Sequence, residues 1–202
     1  MDYIVKILTL GDTSVGKTSI ILRYTKVQFP KKALSTIGVD FRSRIVKIEN
    51  NKKAKVLLWD TAGQERFRNV ASNYYNGTDC VFLVFDITKI DTLSILSFWI
   101  EQLKEKKKID DICMILVGNK SDMKGQRQVN QQDIDSFLLQ YPQMKYYEVS
   151  ALNNEGIDDL FDYAVKEVIK MIKKKESEAS SYRPTVLTLD EPLPQNRGFK
   201  CC

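Results

Sequence analysis

Gly11-Asp12-Thr13-Ser14-Val15-Gly16-Lys17-Thr18 places two glycines, a lysine and a hydroxyl at the spacing G-x-x-x-x-G-K-[ST]. A triphosphate needs many donors at close range. Successive backbone N–H groups of such a loop and of a following helix N-terminus supply them, here from Ser14, Val15, Gly16, Lys17, Thr18 and Ser19. The Lys17 ammonium offsets charge on the outer phosphates, and the Thr18 hydroxyl suits Mg²⁺. The motif follows an apolar strand pattern over 4–10 and opens a helical pattern over 19–24, which is the context the chemistry requires. On its own the loop accommodates ATP and GTP equally.

About a hundred residues downstream stands Asn119-Lys120-Ser121-Asp122, directly after the apolar run 112–117. That puts it at a carboxyl strand end, on the rim where open α/β sheets bind ligands. Guanine presents two adjacent donors, N1–H and the 2-amino group, that one carboxylate accepts together, whereas adenine offers an acceptor at N1 and no 2-amino group. Asp122 therefore selects guanine, and a buried polar pairing of this kind can reject the wrong base by roughly 10⁴ to 10⁵.

The inventory excludes several other chemistries. The chain has no histidine and no Cys-x-x-Cys spacing, so a Ser-His-Asp triad, a Cys-His pair and a structural zinc site are ruled out. Four cysteines without a signal peptide point to a reducing compartment, with Cys80 and Cys113 as core thiols. The net charge of +5 is spread along the chain, and the basic runs at 104–108 and 173–175 read as helix ends, so no nucleic-acid partner is expected. No apolar stretch approaches the roughly 20 residues that span a bilayer, so membrane attachment would have to be added chemically.

The elements that must position these residues alternate between strand and helix patterns. Runs 80–85 and 112–117 are apolar throughout, as parallel strands covered on both faces require. Segments 42–48 and 53–59 flank Asn50-Asn51 and read as an antiparallel hairpin at one sheet edge. Apolar residues at 157, 160, 161, 164, 165, 168, 169 and 172 outline an amphipathic helix. After Lys175 three prolines and scattered Ser and Thr leave no periodic face, so residues 1–175 are expected to form one domain and 176–202 a flexible tail.

With both loops in place the chain resembles the Ras superfamily of small GTPases over about residues 3–174. The resemblance implies the small G-protein version of the P-loop NTPase fold: an α/β domain with a six-stranded, mostly parallel sheet, one antiparallel edge strand and about five helices on both faces. It also implies further site residues. Ser150-Ala151-Leu152 is similar to the family's S-A-K loop, with Leu152 in place of the usual lysine, and Phe29 matches the aromatic that lies against the guanine ring. Thr36 matches the switch threonine, which with Thr18 and Asp60 serves Mg²⁺ and senses the γ-phosphate. Gly63 lets a backbone N–H approach that phosphate, and Gln64 orients the attacking water, the role of the equivalent glutamine in Ras.

Only eighteen positions separate Thr18 from Thr36, too few for an inserted helical domain, and Arg23 is expected early in the first helix. No arginine in cis is expected, so slow intrinsic turnover should be raised on the order of 10³ to 10⁵ by an activating protein.

Ser35 to Phe41, Trp59 to Phe67 and Tyr74-Tyr75 together resemble Rab proteins, the vesicle-trafficking branch. That resemblance implies an effector-reading aromatic patch of Phe41, Trp59 and Tyr74, and a monomer that cycles between GDP and GTP. Terminal Cys201-Cys202 resembles the double-geranylgeranylation site of Rabs. Two lipid chains give stable but extractable anchoring on the cytoplasmic face of intracellular membranes. The implied partners are effectors, an exchange factor, a GTPase-activating protein, a GDP-dissociation inhibitor and a prenylation escort. Residue 2 is Asp, which excludes N-myristoylation. Two other readings share the phosphate loop: a P-loop kinase of small metabolites, and a module that binds GTP without hydrolysing it.

Overall fold

The computed structural model describes residues 1–28, 36, 38–63 and 74–181. Phe29, Ser35, Ile37, Gln64, Glu65, Arg66, Phe67, Cys201 and Cys202, all singled out above, lie outside them.

Six strands form one sheet in the order β2-β3-β1-β4-β5-β6. They are β1 (Tyr3–Leu10), β2 (Val39–Lys47), β3 (Lys53–Thr61), β4 (Cys80–Asp86), β5 (Cys113–Asn119) and β6 (Lys145–Val149). Every pairing is parallel except β2 with β3, the expected edge hairpin. Its turn contains Asn50 and Asn51 at φ 58° and 61°, a left-handed conformation that asparagine tolerates better than most residues.

Five α-helices are described: α1 (Lys17–Tyr24), α2 (Asp91–Ser94), α3 (Leu96–Lys104), α4 (Gln131–Gln140) and α5 (Ile157–Ser181).

The central strands show why their sequences are apolar throughout. All seven residues of β4 are buried, and the two-residue period of a strand sends them to opposite layers. Cys80, Phe82 and Val84 join a core with Ile20, Ile21, Phe161 and Val168 of α1 and α5. Val81, Leu83 and Phe85 join a second core with Leu96, Trp99, Ile134 and Phe137 of α3 and α4. Helices thus cover both faces, and the carboxyl ends of β1, β3, β4, β5 and β6 share one rim.

Four expectations need correction. Helix α5 runs to Ser181, six residues into the segment read as a linker, so Lys173 to Lys175 stand inside a helix and not at its end. One exposed ion pair, Lys174 with Glu178 at 3.9 Å, reaches into these turns, where residues 176–178 are exposed. Cys113 is only half-buried, because it opens β5, whereas Cys80 is fully enclosed. Arg23 occupies the last turn of α1, because that helix begins at Lys17 and ends at Tyr24. Of the 104–108 run only Lys104 is helical; Lys107 lies beyond α3 and donates to the Thr78 carbonyl.

Candidate functional site

The loop after β1 turns sharply into α1. Ser14 at φ 58° and Gly16 at φ 100° are both left-handed, so consecutive N–H groups are arranged as a concave nest. Helix α1 has no side-chain cap and no acidic residue in its first turn, which leaves its leading N–H groups available to an anion. By contrast α4 opens with a full capping box, Asn130 against Asp133. Lys17 is buried, and its ammonium donates to the carbonyls of Gly11 at 2.9 Å and Asp12 at 2.7 Å. Burial pulls its pKa down to about 8, with the Asp60 and Asp12 carboxylates pulling the other way.

Beside it three oxygens converge from three stretches of chain. The Thr18 hydroxyl lies 2.5 Å from Asp60 Oδ2 and 2.9 Å from the Thr36 hydroxyl, and Thr36 lies 3.4 Å from the same carboxylate oxygen. Burial raises the Asp60 pKa, opposed by the hydrogen bond from Thr18, the Lys17 charge and the bond from Thr36. Hard oxygen donors of this kind are what Mg²⁺ takes, usually with retained waters and substrate phosphates. Gly63 follows on the β3 side, so close to the loop that a Cβ there would stand 2.4 Å from the Asp12 carbonyl oxygen. No other residue type lets these two backbones approach.

At the ends of β5 and β6, across β4 from the phosphate loop, the second loop is knitted together by side chains. Buried Asn119 donates from Nδ2 to the Val15 carbonyl at 2.8 Å and accepts at Oδ1 from the Ala151 N–H at 3.1 Å. Asp122 accepts at Oδ1 from the Ser150 hydroxyl at 2.5 Å, and that hydroxyl accepts in turn from the Asn153 N–H at 3.0 Å. Lys120, at φ 71°, pairs with the buried Asp86 carboxylate at 2.5 Å. Burial alone would raise the Asp86 pKa, but the bonds from Lys120 and Thr88 outweigh it and hold the carboxyl below its ordinary value. Leu152 is 65% exposed.

The expected nucleotide and metal residues within the described stretches therefore gather on one rim, in two clusters joined by Asn119. Two residues there escaped the sequence reading. Arg23 donates from Nε to the Ala151 carbonyl at 2.7 Å and from Nη2 to the Leu152 carbonyl at 2.6 Å. Asp86 anchors Lys120. Their partners stand 128 and 34 positions away, so no local spacing could have announced them.

A third feature lies beside Thr36 and Gly63. Phe41 and Trp59 face each other across the β2–β3 pairing with ring centroids 4.4 Å apart at 75°, and Trp59 meets Tyr74 at 6.1 Å and 87°. Phe41 remains 52% exposed. The three expected aromatics thus form one contiguous, partly open surface of edge-to-face rings.

A phosphate nest after β1, an oxygen triad beside it and an aspartate-bearing loop after β5, all on the carboxyl rim of one parallel sheet, define a nucleotide-binding α/β protein of the P-loop class. The Ras family model matches residues 6–170. The chain is 37% identical to Ras-related protein Rab11A of Nicotiana tabacum, over 100% of this chain and 95% of that one. It is 44% identical to Ras-related protein RabJ of Dictyostelium discoideum over 77% of this chain and 60% of that one. It is also 35% identical to Ras-related protein Rab-8B of Pongo abelii, over 89% and 86%. The chain belongs to the Ras family, in its Rab branch, and is a GTP hydrolase. Proteins of this family bind GTP or GDP with Mg²⁺ and hydrolyse GTP, so the kinase and the non-hydrolysing module fall away. No helix among the described residues is long and apolar enough to cross a membrane.

Proposed function

We propose that this chain is a switch in intracellular vesicle traffic, taking GTP across the two clusters of the rim and recruiting effectors only while the γ-phosphate is present. The observation that carries the reading is the Asn119 bridge. One amide joins the phosphate loop at Val15 to the base loop at Ala151, which supports a reading in which the two clusters grip opposite poles of one ligand. In this reading the N–H groups of Ser14 to Ser19 and the Lys17 ammonium hold the phosphates, and Phe29, Lys120 and Leu152 flank the base. Asn119 braces the base loop, Asp122 reads the guanine N1–H and 2-amino group, and the Ala151 N–H meets its carbonyl.

Thr18, Thr36 and Asp60 would hold Mg²⁺, which when bound supplies positive charge that stabilises the phosphate oxygens. Gln64 orients the attacking water and Gly63 donates its N–H to the γ-phosphate. Among the described residues no arginine is assigned to the transferring phosphate, and Arg23 is committed to the base loop. Fast hydrolysis then awaits charge supplied by an activating protein, worth on the order of 10³ to 10⁵. Thr36 releases when the γ-phosphate leaves, which reshapes the neighbouring surface of Phe41, Trp59 and Tyr74 that effectors read. Residues 1–175 act as the GTPase domain. Segment 176–202 carries geranylgeranyl groups on Cys201 and Cys202, and an exchange factor, a GDP-dissociation inhibitor and a prenylation escort handle the chain between cytoplasm and membrane.

The central test compares GDP, GTP, ADP and XDP affinities for wild type and Asp122→Asn. Wild type should prefer guanine by orders of magnitude, and the variant should lose GDP and gain XDP. Unchanged preference would remove Asp122 from the base site. Single-turnover hydrolysis should fall in Gln64→Leu with GDP affinity unchanged, and replacing Cys201 and Cys202 with serine should abolish membrane residence.

A further inference from the structure

The end of β2, the turn that leads to β3 and the middle turns of α5 enclose a groove of about 400 Å³. It lies at the amino-terminal end of β1 and β3, where Tyr3 pairs with Ala54, and so at the opposite end of the sheet from the nucleotide rim. The floor is apolar, formed by Tyr3, Val46, Ile48, Val165 and Ile169. The rim carries five lysines, Lys47, Lys52, Lys166, Lys170 and Lys173, against the two acids Glu49 and Asp162. Lys170 is paired with Glu167, and Lys52 lies 5.7 Å from the Tyr3 ring centroid. Lys47, Lys166 and Lys173 form no ion pair among the described residues. A fitting occupant is therefore short, apolar on one side and acidic.

The chain itself contains such a segment. Residues 186–191 read Val-Leu-Thr-Leu-Asp-Glu, and Asp190 and Glu191 are the only acids after Glu178. In an extended backbone Leu187 and Leu189 fall on the same side. The reach also agrees. Returning along α5 from Ser181 to Ile169 spans about 18 Å and to Val165 about 24 Å at the helical rise. Six extended residues carry Leu187 up to roughly 20 Å from Ser181, and eight carry Leu189 up to roughly 26 Å.

We propose that segment 187–191 of the C-terminal tail docks in this groove, with its two leucines on the apolar floor and its carboxylates among the rim lysines. Tethering raises the effective concentration of the segment to about the millimolar range, so contacts that would be weak between separate molecules suffice. The docked tail shortens the free length between the domain and Cys201-Cys202 to the residues after 191. The contact is independent of the nucleotide-site reading and of whether those cysteines carry lipid.

The test uses the full chain, without lipid, loaded with GDP at high dilution. It is treated with a zero-length carbodiimide, and separately with an acetylating reagent, and both products are mapped by mass spectrometry. The comparison is Leu187→Asp/Leu189→Asp, which keeps both acids in place and changes nothing in the folded domain. Wild type should give intramolecular cross-links from Asp190 or Glu191 to Lys47, Lys166 or Lys173. Those lysines should acetylate severalfold more slowly than in the variant, which should lose the cross-links. Absent cross-links, or equal acetylation in both proteins, would overturn the proposal. So would cross-links formed only between isotopically light and heavy copies, which would make a second chain the occupant. Protection seen only after adding phosphatidylserine vesicles would also overturn it, assigning the groove to a lipid surface.

Discussion

The two ends of the nucleotide rim are built by different physical means. The phosphate end is mostly main chain: left-handed Ser14 and Gly16, an uncapped helix start, and Gly63 pressed against Asp12. The base end is mostly side chain, with Asn119, Asp122, Ser150, Lys120, Asp86 and Arg23 each bonded to a distant partner. In the proposed reading, diffuse negative charge on several oxygens is met by many equivalent N–H dipoles, whereas a planar base with directional donors is met by a braced carboxylate. Substitutions that enlarge a glycine should therefore act through sterics at the first end, and those that delete a hydrogen bond should act through loosened bracing at the second.

The most damaging way to break this division is at Gly16, where the ends touch. A Cβ there would stand 2.1 Å from Asn119 Nδ2, and the backbone is already at φ 100°. Gly16→Ala should weaken GDP binding by roughly 4 kcal/mol, about a thousandfold, combining left-handed strain with displacement of the bridging amide. Titration with a fluorescent GDP analogue measures it. Asn119→Ala removes the bridge without steric conflict and orphans the Val15 carbonyl and Ala151 N–H. The expected loss is about 3 kcal/mol, appearing in GDP release and in thermal stability alike.

Asp86→Asn sharpens the comparison because it touches only the base end. Loss of the pair to partly exposed Lys120 should lower unfolding free energy by about 1–2 kcal/mol at neutral pH in denaturant titration. The sign of its pH dependence follows from the depressed Asp86 pKa. The pair's contribution is complete above the ordinary value of 3.8 and fades as pH falls through the lower folded value, so wild type and variant should converge in acid.

Arg23→Ala should speed GDP release about fivefold, near 1 kcal/mol. Because Arg23 braces the base loop, GMP and GDP should lose affinity equally; a selective loss for GDP would place its effect at the phosphate end. The smallest change is expected from Leu152→Lys. Its side chain is largely exposed, so GDP release should shift by less than about 0.5 kcal/mol.

The phosphate loop was legible because its parts are contiguous. Eight residues, with a strand before and a helix after, carry the whole device, and helix α1 begins at Lys17 where the motif ends. The sheet was legible for a related reason, since a strand buried on both faces must be apolar at every position, as β4 is. Helix α5 past Lys175 was missed because Glu176, Ser177 and Glu178 are exposed and leave no apolar period to read. The half-exposure of Cys113 was missed because a cysteine at a strand start looks like one at its centre.

The sequence by itself determined the alternating α/β architecture, the antiparallel edge and the placing of both loops at strand ends, since each follows from local periodicity or a contiguous motif. Only the tertiary structure decided that Asn119 ties the loops together, that Asp86 holds Lys120, that Arg23 braces the Ala151 loop, and that hairpin and α5 leave a lysine-rimmed groove. The physical reason is separation along the chain: the hydrogen bonds and ion pair among those contacts join residues 32 to 128 positions apart, and which side chains meet there is fixed by strand order and register, not by neighbours in sequence.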